Sequence, residues 1–126
     1  MDRRFVLALL GATALASSSA RAFSIRPYDN SAKAAIAAGG PVVVHVYASW
    51  CLQCHLQKSI LDGLKDDPAY KGIAFYRVDY DSQKDVVKAL DCPRSTLIAY
   101  RGGKEVARMS WGVEEDAVAG VLKASL

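Results

Sequence analysis

The 126-residue chain has no apolar run of membrane-spanning length, almost no surplus of charge and only three cysteines. Its N-terminal apolar stretch, Phe5–Ala16, falls short of the about 20 residues that a spanning helix needs. Sixteen Lys and Arg stand against 13 Asp and Glu, a net charge of +3. Residues 1–22 contribute Arg3, Arg4 and Arg21 against Asp2, so the rest of the chain holds 13 basic and 12 acidic residues. That balance offers no basic stripe and excludes nucleic acid as the expected partner. There is no phosphate loop and no dinucleotide fingerprint, so no organic cofactor is implied. Repeats and low-complexity linkers are also missing. What remains is a composition of 52% apolar and 23% charged residues, which is globular rather than disordered. The length suits one domain.

The first residues have their own logic. Met1-Asp2-Arg3-Arg4 runs into the apolar stretch, and Ser17-Ser18-Ser19-Ala20-Arg21-Ala22 follows. A short basic head, an apolar middle and an A-x-A site read as a secretory signal peptide over residues 1–22, with cleavage near Ala22; the alternative is an uncleaved anchor. The mature domain is then 23–126, with a periplasmic or secreted location. It contains Cys51, Cys54 and Cys92. Three thiols cannot all pair within one chain.

Along the mature part, Phe23–Tyr28 contains Pro27 and is at most an edge strand. Asp29 or Asn30 caps a helix over Ala32–Ala38, which Gly39-Gly40-Pro41 ends. Val42–Tyr47 is a continuous β-branched run, the pattern of a strand buried on both faces. A helix is predicted from Cys51 to about Lys65, with Leu56, Ile60, Leu61 and Leu64 on its apolar face and Pro68 beyond its end. Ile73–Asp79 reads as a second strand. Gln83–Leu90 is a short helix capped by Ser82 or Asp81. Ser95–Tyr100 and Glu105–Met109 form a hairpin about Arg101-Gly102-Gly103-Lys104. Glu114–Leu126 is a last helix, with acids in its first turn where the helix dipole favours them. This order implies an α/β domain with a mixed sheet and helices on both faces.

The chemistry sits in Cys51-Leu52-Gln53-Cys54, a C-x-x-C at a strand-to-helix junction. Cys51 then lies at a helix N-terminus, where free N–H groups and the dipole favour a thiolate. Cys54 lies one turn deeper. An exposed acidic thiol beside a shielded one suits attack on a disulfide followed by resolution of the mixed disulfide. A closed zinc site takes four ligands, and outside the pair there are only one cysteine and two histidines. A purely structural bridge across so short a loop constrains the unfolded chain little.

Trp50-Cys51-Leu52-Gln53-Cys54 after a Val-rich strand resembles the W-C-x-x-C site of the thioredoxins. Thr96-Leu97-Ile98-Ala99-Tyr100-Arg101-Gly102-Gly103-Lys104-Glu105-Val106 resembles their T-L-x-x-F-x-x-G-x-x-V hairpin, and Arg77-Val78-Asp79-Tyr80-Asp81 is similar to their strand ending in V-D. The resemblance spans roughly residues 30–124. It implies a thioredoxin-like fold with a central mixed sheet of four to five strands. It also implies a thiol–disulfide oxidoreductase in which Cys51 attacks and Cys54 resolves, exported if residues 1–22 are a signal peptide. Trp50 would cover the site, and the backbone at Ser95 and Thr96 would receive a substrate strand. Disulfide-containing proteins are the implied substrates. The expected direction is reduction, with electrons from a membrane thiol transporter.

Three positions depart from the family pattern. His45 stands where thioredoxins carry a buried acid; it either accepts the Cys54 proton or packs as a core histidine. Ser95 replaces their cis-proline, and a cis bond to a residue other than proline costs about 2.5–4 kcal/mol, so a trans Arg94–Ser95 bond is expected. Cys92, in the same loop, is either a third redox thiol or incidental. His55 is expected on the surface. An alternative reading from another class is a copper-binding module with Cys51, Cys54 and Cys92 as soft ligands.

Overall fold

The computed structural model describes residues 21–126. The expected signal peptide therefore lies, except for its last two residues, outside the described residues. The elements are β1 (Ile25–Pro27), α1 (Asn30–Ala38), β2 (Val42–Tyr47), α2 (Leu52–Leu64), β3 (Ala74–Asp79), α3 (Lys84–Leu90), β4 (Thr96–Arg101), β5 (Lys104–Ser110) and α4 (Glu115–Ala124). They build one five-stranded sheet in the order β1-β3-β2-β4-β5. β1, β3 and β2 are parallel; β4 runs antiparallel to β2, and β5 antiparallel to β4.

β2 is central, with β3 on one side and β4 on the other, which is why its valines are continuous rather than alternating. Val43 points into a core with Leu61, Leu64, Phe75, Leu97, Val118 and Leu122, under α2 and α4. Val42, Val44 and Val46 point the other way, towards Ala32, Tyr76, Val78 and Ile98, under α1. His45 shares the parity of Val43, so it faces α2. Phe23 stacks on Phe75 with ring centroids 5.1 Å apart and ties the start of the domain to the first core.

The termini of the elements follow local chemistry. Asp29 caps α1 by accepting from the Ser31 N–H, 2.9 Å away. Gly102 and Gly103 take φ of +65° and +79°, the geometry of a two-residue hairpin turn, which only glycine adopts without strain. Two expectations need correction. Leu56 is 42% exposed; the buried stripe of α2 is Cys54, Gln57, Leu61 and Leu64, so a polar residue takes the place expected for Leu56. Neither Ser82 nor Asp81 caps α3, which starts after Gln83 without a side-chain cap. Asp81 is engaged elsewhere, as its carboxylate accepts from the Trp50 indole N–H at 2.9 Å. After α2, Asp67 and Pro68 start an unforeseen 3-10 turn over Pro68–Tyr70, with the Asp67 carboxylate accepting from the Ala69 N–H. The sheet delivers the C-terminal end of β2, the N-terminus of α2 and the loop before β4 to one edge of the domain.

Candidate active site

Cys51 is the N-cap of α2, with φ −96° and ψ 119°. Its sulfur occupies the place where a capping oxygen would sit and accepts from the Cys54 N–H at 3.2 Å. Burial pushes the Cys51 thiol up, but the Cys54 thiol and N–H, the Arg94 N–H groups and the Arg94 charge outweigh it, and the net shift is downward. Cys54 moves the other way: burial raises it first, and its hydrogen bond to the Cys51 sulfur raises it further. One thiol is thus disposed to ionise while the other keeps its proton. Both are more enclosed than the sequence implied, because Cys51 is only 2% exposed and Cys54 0%. They lie with Ala48 in a small cluster flanked by Tyr47 and Tyr80.

Trp50 is 58% exposed. The Asp81 bond fixes its indole, and its ring meets Tyr80 edge-on at 6.4 Å. Arg94 lies between two indoles, with the guanidinium carbon 4.6 Å from the Trp50 ring centre and 5.0 Å from that of Trp111. Neither Arg94 nor Trp111 was anticipated. A lone tryptophan just past the second hairpin strand was the available signal.

Ser95 is in a trans peptide, and the described residues contain no cis bond. Its φ is +61°, and that of Trp111 is +71°. Both are rare for residues with a side chain and cost of order 1–3 kcal/mol each. The two strained residues hold each other, since the Trp111 N–H donates to the Ser95 carbonyl at 2.7 Å. The Ser95 N–H donates to the Val46 carbonyl at 2.9 Å. Both backbone groups of Ser95 are therefore engaged inside the domain, so they do not supply the expected docking backbone. Thr96 is a β4 residue whose hydroxyl bonds the Pro93 carbonyl at 2.9 Å and the Ser110 hydroxyl at 2.8 Å; it braces the loop. The Ser95 hydroxyl is buried with no oxygen or nitrogen partner and favours the Cys54 thiolate.

His45 is fully buried. Its Nε2 lies 2.9 Å from Gln57 Oε1. The Gln57 amide N–H groups already donate to the carbonyls of Ser95, at 3.1 Å, and Gly112, at 2.9 Å. The Gln57 oxygen must then accept, so His45 carries its proton on Nε2 and its Nδ1 is bare. That Nδ1 is buried without a partner. Burial first, and the neighbouring Arg77 second, push the His45 pKa down to about 3. A base that weak is a poor acceptor for a thiol proton, and its hydrogen bond goes to Gln57. The core role is the one with a contact to carry it. Gln57 itself escaped notice, although a glutamine on an apolar helical stripe was a legible signal. His55 is on the surface, as expected, donating through Nε2 to the Ser49 carbonyl at 2.6 Å.

Cys92 is half-buried and packs beside the second core, against the group that includes Ile98 and Tyr100. Burial raises its thiol pKa. Among the described residues no group of three or more Cys, His, Asp or Glu forms a metal-ligand set. The ligand trio required by the copper reading is not assembled. A cavity of about 390 Å³ opens near the end of β2, lined by Arg26, Tyr47, Arg77 and Asp79 among others, but no cysteine lines it.

The thioredoxin family model matches residues 26–124. The chain belongs to the thioredoxin family. It is 38% identical over 88 residues to thioredoxin-2 of Saccharomyces cerevisiae, an alignment covering 68% of this chain and 79% of the yeast protein. Among solved structures, Trxlp from Edwardsiella tarda is 37% identical, with a TM-score of 0.74 over 79% of this chain and 98% of that one. The thioredoxin of Malassezia sympodialis shares the fold, with a TM-score of 0.70 at 20% identity over 82% of this chain and 94% of that one. As a family member the protein is a thiol–disulfide oxidoreductase, and its Cys51–Cys54 pair fits the family's C-x-x-C site.

Proposed function

We propose that this thioredoxin is an exported reductase of protein disulfides, with Cys51 as nucleophile and Cys54 as resolving thiol. The observation that carries the assignment of roles is the 3.2 Å bond from the Cys54 N–H to the Cys51 sulfur. It favours negative charge on Cys51 and leaves Cys54 behind it as the proton-bearing partner. In the first step the Cys51 thiolate attacks one sulfur of the substrate disulfide. A Cys51–substrate S–S bond forms, and the other substrate sulfur leaves as a thiolate that takes up a proton. Cys54 then loses its proton and attacks the Cys51 sulfur. The Cys51–Cys54 disulfide forms and the second substrate thiol is released, so two electrons and two protons have passed to the substrate.

Export rests on the basic head, apolar run and A-x-A site of residues 1–22. In an oxidising compartment the spent disulfide needs a fresh supply of electrons, and a membrane thiol transporter is the fitting donor. Equilibration of the Cys51–Cys54 pair with glutathione tests the direction. A potential near about −270 mV supports a reductase, and one near about −120 mV identifies an oxidant. The mass of the protein recovered from its native host tests export: a chain starting at Phe23 supports it, and a chain retaining residues 1–22 in the cytosolic fraction overturns it.

A further inference from the structure

Arg94 is held in a manner that a merely structural arginine does not require. Its guanidinium carbon lies over two rings, 4.6 Å from the centre of Trp50 and 5.0 Å from that of Trp111, so the half-buried ion is partly shielded from water. Its Nε is buried without a hydrogen-bond partner. None of the ion pairs among the described residues involves Arg94. The Asp81 carboxylate is taken by the Trp50 indole. Around this lone cation the surface is apolar, with Trp50, Leu52, Trp111 and Val113 between 39% and 68% exposed. Cys51 lies within the reach of the Arg94 charge yet is only 2% exposed. A substrate sulfur reaches it only by settling onto that collar.

We propose that Arg94 is a specificity-determining residue that selects polypeptide disulfides flanked by an acidic side chain. This rests on the oxidoreductase reading above and adds the chemistry of the segment that docks. Thiolate attraction alone is a weaker account of the clamp. A cation that only served Cys51 would not need to be stacked by two indoles. A planar guanidinium held against two indoles presents its edge N–H groups in a set direction, the arrangement that recognises a carboxylate. Poor solvation between the rings strengthens the attraction. The apolar collar takes the neighbouring residues of the docked segment, and the carboxylate supplies the ion-pair partner that Arg94 lacks among the described residues.

The test uses the reduced full domain and three disulfide-bridged peptides that differ only in the residue beside the attacked cysteine: Glu, Gln or Lys. Single-turnover reduction is followed by acid quench and chromatography, at a pH where Cys51 is fully ionised in every variant. The inference expects the Glu peptide to react about tenfold faster than the Gln peptide, as one charge-assisted hydrogen bond would give. The Lys peptide should be slowest, and the spread should narrow with added salt. In Arg94→Gln the Glu:Gln ratio should fall to about one, and in Arg94→Glu the Lys peptide should become the fastest. Any change in the reactivity of Cys51 itself affects all three peptides alike and cancels in the ratio. Equal rates in the unaltered protein, or a Glu preference that survives Arg94→Gln, overturn the inference while the reductase reading stands. Failure to reduce any of the peptides removes both.

Discussion

Gln57 on α2 and Ser95 in the loop before β4 are joined by a buried hydrogen bond of 3.1 Å, from the glutamine amide to the serine carbonyl. The same amide holds Gly112 and the same side chain receives His45. One residue thus fastens the helix that carries both thiols to the two loops that carry Arg94 and Trp111. Gln57→Leu keeps the volume but leaves the His45 Nε2–H without its acceptor, removes the Gln57 donor from the Gly112 carbonyl and leaves the Ser95 carbonyl with the Trp111 N–H alone. A loss of about 2–4 kcal/mol is expected, measurable by denaturant unfolding, together with weaker substrate discrimination at Arg94. A variant of unchanged stability would show that solvent readily takes over these bonds.

Cys51 should be the thiol alkylated by a brief pulse of iodoacetamide at neutral pH. Its rate should inflect below the ordinary thiol range, since the charge and hydrogen bonds around it favour the thiolate. Arg94→Gln removes one of those influences, so the inflection should move to higher pH. Cys54→Ala should trap substrates as mixed disulfides on Cys51, released by dithiothreitol. Preferential labelling of Cys54 by mass mapping would reverse the assigned roles.

His45 gives the fold a definite acid sensitivity. Its folded pKa of about 3 lies below the ordinary value of 6.5, so between these values the unfolded chain binds a proton that the folded chain refuses. The contribution is fully present above about pH 6.5 and is lost progressively as the pH falls towards about 3. From pH 7 to pH 5 the loss should be about 2 kcal/mol. His45→Leu should be less stable at pH 7, having lost the Gln57 contact, but should lack this slope. Parallel pH profiles for the two proteins would rule the explanation out.

Ser95→Pro should destabilise. Proline requires φ near −65° and has no N–H, whereas Ser95 sits at +61° and donates to the Val46 carbonyl. A fall of about 3 kcal/mol or more is expected, read as a lower melting temperature. A rise would mean that the loop readily takes the family's proline geometry.

The elements that packing dictates were readable from residue types. The β-branched run of β2 has no reasonable home except the middle of a sheet, and Gly102-Gly103 admits little but a hairpin turn. The two active-site cysteines were readable because their spacing and their place after that strand carry the chemistry. The residues that escaped notice work across long sequence separations. Gln57 becomes a clamp only when β2, the Ser95 loop and Gly112 converge on it, and no periodicity reports such a meeting. Arg94 looks like any loop arginine until Trp50 and Trp111 close on either side. The carbonyl of Ser95 was assigned to a docking substrate, because nothing local announces that the N–H of Trp111 reaches it first. Gln57 takes the buried place expected of Leu56 while Leu61 and Leu64 keep theirs, a turn of the buried face by less than one residue that a pattern of four apolar positions does not resolve.

The clamp about Arg94 has a practical consequence. The chain contains two tryptophans, and both are the walls of that clamp. All indole emission from the domain therefore originates at the Arg94 clamp, with no other tryptophan to dilute it. The protein carries its own optical gauge: oxidation of the pair, arrival of a substrate and displacement of the guanidinium each disturb the same two fluorophores.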